Sequence, residues 1–299
     1  MYVASDPRSQ LAKAAPASTN APRPLGGSTY ARFYDTEPNQ TGPQHRTWLT
    51  RGENFIVAYC ETQAGASFAR SGQPDEYMIL LPDPESLVEI DLNGTTTACS
   101  GHAVVFVPPG DSTVRVLVGG RVVQFFTSRA QDLAEQCGEY EVDPNVAPFE
   151  PWPEPVGGFR VRTYSMDVPQ QEGRFGRLLR STTFMVNYIY PRSGPRARNT
   201  MSPHSHEDFQ QISLCLEGSY VHHLRWPWGN DADQWRPDEH AECGAPSVTI
   251  IPARVLHTSE ASAPGTNFLI DVFCPPRVDF SRQPGWVLNA DEYPEPASA

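Results

Sequence analysis

The same series of short apolar runs occurs twice in this chain, and each run has the length of a strand. The first series is "NFIVAY" (54–59), "EYMILL" (76–81), "LVEIDL" (87–92), "AVVFVP" (103–108), "VRVLV" (114–118) and "RVVQFF" (121–126). The second is "FRVRTY" (159–164), "FMVNYIY" (184–190), "QISLCLE" (211–217), "YVHHLRW" (220–226), "SVTIIP" (247–252) and "NFLIDVF" (267–273). β-branched and aromatic residues dominate the runs, and 30 prolines and 22 glycines punctuate the 299 residues. That alternation of strand and turn signals predicts an all-β sandwich or barrel. Only "SRAQDLAEQCG" (128–138) and "EGRFGRLLRS" (172–181) read as short helices.

The two series pair off. Phe55, Val57 and Tyr59 match Phe184, Val186 and Tyr188, and "EYMILLPD" (76–83) matches "QISLCLEG" (211–218). "GHAVVFVPPG" (101–110) matches "GAPSVTIIPAR" (244–254), and "VVQFFTSR" matches "LIDVFCPPR". A period of roughly 135 residues is far too long for a solenoid and reads as a duplicated domain. The expected organisation is an extended or disordered segment over 1–45, a first domain over 46–141 and a Pro-rich linker over 142–158. A second domain over 159–290 and a tail over 291–299 complete it.

Composition removes several classes of function. The net charge is −12 with no basic run, so neither nucleic acid nor an anionic membrane is an expected partner. Lys13 is the one lysine, which leaves no Schiff-base or P-loop lysine outside the N-terminal segment. Cys60, Cys99, Cys137, Cys215, Cys243 and Cys274 are scattered without a C-x-x-C pair, against a zinc ribbon or a thioredoxin motif. With no signal peptide and no membrane-length apolar run, the expectation is a cytoplasmic protein with reduced thiols.

Against this background "SPHSHEDFQQISLCLEG" (202–218) is the one stretch dense in metal-ligating groups. Its His204-Ser-His206 is followed by four residues, Gln211, six residues and Gly218. Downstream come Gly244, a strand, Pro252-Ala-Arg254, two residues and His257. This pair of motifs resembles the cupin superfamily, and over roughly 50–290 the chain looks like a bicupin, two jelly-roll (double-stranded β-helix) domains in tandem. It departs from the cupin pattern at Gln211, where Glu is usual, at Arg254, where the turn Gly is usual, and at Ala261, where an Asn is sometimes found. In the first repeat Glu76 keeps the acidic position, but Ala69, Ser71 and Thr113 stand where the histidines would be. One metal in the second domain is therefore expected, and none in the first.

The resemblance implies His204, His206 and His257 as ligands of one divalent transition metal. Gln211 either ligates or orients a water or substrate, with Gln210 as the lesser alternative. Three imidazoles and an amide suit Fe, Zn, Ni and Mn alike. A neutral ligand set leaves the ion's charge to be met by an anionic chelating substrate. Three-histidine cupins are familiar as Fe(II) dioxygenases of catecholic, hydroxybenzoate or β-diketone substrates, so Fe(II) and a small phenolic or enolic substrate are favoured. A non-redox Zn, Mn or Ni lyase, isomerase or hydrolase is the alternative, with a non-catalytic ligand-binding bicupin after it. Strand alternation requires one of His222 and His223 to point inward, where it could serve as a base; Arg225 could pair with a carboxylate. Trp226 and Trp228 are expected to plug the barrel mouth, and Cys215, in phase with Gln211, to face the interior. A homodimer is expected on family grounds.

Overall fold

The computed structural model describes residues 24–229 and 231–297. The expected all-β architecture is present. Two seven-stranded antiparallel sheets are each curled against a smaller sheet, of four strands in the first repeat and three in the second. Strands Phe55–Thr62, Tyr77–Leu81, Ala103–Val107 and Gly120–Thr127 build the large sheet of the first barrel. Met185–Ile189, Gln211–Glu217, Ser247–Ile251 and Thr266–Phe273 build that of the second. Ser219–Arg225, Glu239–Gly244 and Leu256–Ala261 form the second barrel's small sheet. No described helix is long and apolar enough to cross a membrane.

The two large sheets pack against each other, so their strands are buried on both faces and read as nearly continuous apolar runs. Along Gln211–Glu217, Ile212, Leu214 and Leu216 enter the shared core, where Phe55, Val57, Phe106 and Phe125 arrive from the first barrel. Gln211, Ser213 and Cys215 alternate to the other face, into the second barrel.

The barrels differ in what fills them. The first is packed with Ile56, Tyr77, Ile79, Val105, Val114 and Phe126. The second turns Gln211, Ser213, His222, Thr249, His257 and Asp271 inward, all of them buried. Apolar side chains satisfy one another by contact, whereas buried polar groups must be paired or take a ligand.

Three expectations change. Tyr77, not Glu76, is the counterpart of Gln211. Tyr77 lies opposite Val107, just before Pro108, as Gln211 lies opposite Ile251, just before Pro252. A one-residue shift along a strand reverses the face, and Glu76 points into the interface between barrels instead. There its carboxylate accepts from the Thr182 backbone N (3.0 Å), Thr182 Oγ1 (2.9 Å) and Tyr293 Oη (2.8 Å). Burial raises its pKa. Ala69 and Thr113 do correspond to His204 and His257, since both pairs are cross-strand partners.

Second, residues 172–181 are not helical: Gly176–Arg180 is a strand paired with Met185–Ile189. Leu178 and Leu179 enter different apolar clusters, a two-sided burial that a strand satisfies. Only Gln131–Ala134 is helical within 128–138.

Third, strand pairing crosses the expected domain limits. Thr29–Arg32, from the segment expected to be extended or disordered, pairs with Ser247–Ile251 of the second barrel. Arg162–Ser165, beyond the linker, pairs with Ala103–Val107 of the first. Each barrel thus borrows an edge strand from the other half of the chain, and Tyr293 of the tail is buried between them. Residues 1–23 of the expected N-terminal segment lie outside the described residues.

Candidate metal centre

The Ser202–Gln210 segment is irregular rather than a strand, with one bridge. His204 N donates to His257 O (3.0 Å) and His257 N to His204 O (2.8 Å). This bridge sets the two imidazoles side by side, with ring centroids 4.4 Å apart. His206 is held by Phe209, stacked at 4.6 Å, and its ring lies 5.1 Å from that of His204 and 5.2 Å from that of His257. One ligand atom from each histidine falls within 4.8 Å of the others, close enough for a single metal ion to reach all three. The turn behind them is fixed by Arg254, whose N donates to His206 O (2.6 Å) and whose φ is +66°. An arginine occupies a conformation that favours glycine.

Hydrogen bonds set the ring nitrogens. Nδ1 of His204 lies 2.9 Å from Ser202 O, and Nδ1 of His257 lies 2.9 Å from Val255 O. A carbonyl only accepts, so both Nδ1 atoms carry the proton and both Nε2 atoms present a lone pair, as metal ligation requires. Gln211 Oε1 lies 3.0 Å from His206 Nε2 and 3.4 Å from His257 Nε2. At His257 two acceptors face each other, an arrangement that a cation relieves. The donor set therefore fits a divalent transition ion, with three imidazoles and an amide oxygen converging on one point.

Above this point opens a cavity of about 620 Å³. Phe175, Ile189, Tyr190 and Leu269 give it apolar walls, while Arg174, Arg192 and Arg196 bring positive charge. Arg196 pins the loop at the cavity wall by donating to Ser259 O (3.2 Å), Thr200 O (2.6 Å) and Ser202 Oγ (3.1 Å). Arg192 has no carboxylate partner among the described residues.

One acid also lines the cavity, and the sequence reading missed it: Asp271, 8% exposed. Its Oδ1 accepts from Gln211 Nε2 (3.1 Å) and Ser213 Oγ (2.7 Å). A lone acid inside the apolar run 267–273 was the available signal, because its cross-strand partner is Ser213, in phase with Gln211.

The other sequence candidates occupy different positions. His222 points inward and is fully buried behind His257, with Nδ1 2.9 Å from Ser259 Oγ. Burial, with smaller repulsions from His257 and His223, lowers its pKa to about 3, so it stays neutral. His223 and Arg225 face outward and do not line the cavity. His223 contacts Glu260 (2.9 Å) and His240 (2.7 Å), and Arg225 pairs with Asp238 (2.7 Å). Gln210 Oε1 is taken by the backbone N of Glu53 (2.8 Å). Trp226 is buried with Leu224, Ile251 and Val255, and Trp228 is 73% exposed, stacked on Trp235. Neither closes the cavity. Cys215 faces the interior, where burial pushes its thiol up to about 12.

The sequence matches no family model and no curated protein. Solved structures share the fold. An oxalate decarboxylase of Lactobacillus farciminis, in its formate complex, superposes with a TM-score of 0.56 at 13% identity, covering 86% of this chain and 88% of that one. An oxalate decarboxylase of Bacillus subtilis gives 0.56 at 14% identity over 86% and 79%. AerE of Microcystis aeruginosa gives 0.51 at 10% over 85% and 98%. The fold is that of a bicupin. At these identities the likeness extends to the fold alone.

Proposed function

We propose that this bicupin is a metal-dependent enzyme, with one divalent ion held by His204, His206, His257 and Gln211. Its leading reaction is Fe(II)-dependent cleavage of a small phenolic or enolic anion by dioxygen. The observation that carries the reading is the convergence of three imidazoles, His204 and His257 each held through Nδ1 by a backbone carbonyl, and an amide oxygen beneath an arginine-rimmed cavity. Iron(II) bound there would relay electrons from the anion to dioxygen and offer open coordination positions.

The chain's own residues do the rest. Arg192 and Arg174 draw an anion to the mouth, and Phe175, Tyr190 and Leu269 offer walls to an apolar ring. Arg196 fixes the 196–202 segment at the cavity wall through Thr200 and Ser202. His222, neutral, holds the Ser259 hydroxyl at the cavity wall.

A non-redox reaction of a carboxylate at Zn, Mn or Ni is the second reading. The fold likeness to oxalate decarboxylases and the acid at the cavity wall favour it. A cavity of about 620 Å³ is spacious for a two-carbon acid, which favours the first. Elemental analysis of untreated protein should give about one transition metal per chain, lost in His204→Ala. Oxygen uptake by Fe(II)-loaded protein on a catechol and hydroxybenzoate panel supports the leading reaction. Silence there, with CO₂ release from a dicarboxylate by Mn-loaded protein, would select the second.

A further inference from the structure

We infer that Asp271 supplies the negative charge of the metal centre at one remove, by fixing and polarising the Gln211 amide. The inference rests on the metal-dependent reading and deepens it.

The Gln211 amide, the Ser213 hydroxyl and the Asp271 carboxylate form a hydrogen-bond triangle. The Gln211 amide nitrogen donates toward Asp271 Oδ1 (3.1 Å) and Ser213 Oγ (3.0 Å). The Ser213 hydroxyl has one proton, and it goes to Asp271 Oδ1 (2.7 Å). In both of its contacts Asp271 Oδ1 is the acceptor. Turning the amide over would set Oε1 against the carboxylate oxygen, with two acceptors in contact inside a buried site. Asp271 thereby forces Oε1 toward His206 and His257. It also polarises the amide, because a hydrogen bond from N–H to a carboxylate draws electron density onto the carbonyl oxygen and makes a poor ligand a better one. Asp271 is thus a positioning residue.

The first barrel is an internal control. Tyr77 stands at the position of Gln211, and Gln124 at that of Asp271, since Gln124 lies opposite Ile79 as Asp271 lies opposite Ser213. Neither is ionic, and the histidine positions hold Ala69 and Thr113. Within this chain the Gln–Asp pair accompanies the histidines. The glutamate usual at position 211 would meet Asp271 as a second carboxylate, so the two positions form a matched set in which charge has moved one residue outward.

The test is a charge exchange read as metal affinity. Full-length protein stripped with a chelator is titrated with Co(II) against a chromogenic competitor, and circular dichroism verifies the fold of each variant. Asp271→Asn should weaken binding about 10- to 100-fold, because asparagine can donate to a flipped amide. Gln211→Glu should weaken it through the paired carboxylates. The double variant Gln211→Glu/Asp271→Asn restores both charge and donor–acceptor matching and should return to within about threefold of wild type. Wild-type affinity in Asp271→Asn, or a double variant no tighter than the weaker single, overturns the inference. If Asp271→Asn does not fold, the double variant against Gln211→Glu decides. Failure of the metal reading looks different: wild type would bind no Co(II), or His257→Ala would bind it equally well.

Discussion

Among single residues, His222 has the clearest energetic signature. Its folded pKa of about 3 lies below the ordinary histidine value, so between those limits the unfolded chain binds the proton more readily. Stability from this residue is complete above about pH 6.5 and falls as pH drops toward the folded pKa, at roughly 1.4 kcal/mol per pH unit. Urea unfolding at pH 7 and pH 5 should therefore show a loss in wild type about 2 kcal/mol larger than in His222→Asn. Equal losses would show that the ring titrates normally. The same scale shows what spacing can and cannot reveal. His204, His206, Gln211 and His257 were legible because their intervals follow a motif, and the fold brings them together. Asp271 was not, since its role depends on a strand partner distant in sequence. For His222 and His223, alternation required one inward ring without saying which.

The turn Pro252–Val255 carries Arg254 at φ +66°, which costs a side-chain-bearing residue about 1–2 kcal/mol. Arg254→Gly removes that cost but loosens the unfolded chain by about 0.5–1 kcal/mol, so stability should hold or rise slightly. Arg254→Val should lower it, since a β-branched residue fits this region worst. Thermal melts of the two variants check the order. Gly218 shows the opposite constraint at φ +76°, where a Cβ would stand 2.5 Å from Thr266 O. Strand identity was legible from short β-branched runs, but phase was less so. In "EYMILL" every residue from Tyr77 to Leu81 is buried, so no polar–apolar alternation marks the inner face, and the repeat alignment slipped by one. In "GRFGRLLRS" the arginines and paired leucines imitate a short helix until the neighbouring strand is known.

At the scale of the molecule, the duplication was visible in the sequence but the exchange of edge strands was not, because it depends on distant pairing. Ile212, Leu214, Val248, Ile250, Ile270 and Val272 of the second barrel are buried in the joint core. Exposing six such side chains costs on the order of 10 kcal/mol, comparable to the ~5–15 kcal/mol stability of a whole domain. The full chain should therefore unfold in one calorimetric transition, and residues 159–297 expressed alone should aggregate or remain unfolded. Two separate transitions, or a soluble and cooperative fragment, would show that the barrels are independent. The borrowed strands also bear on synthesis. Thr29–Arg32 leaves the ribosome early, yet its partner Ser247–Ile251 follows more than two hundred residues later. Arg162–Ser165 completes the first barrel from beyond the linker. Neither barrel can close as it emerges, and Thr29–Arg32 must wait for a partner synthesised far later.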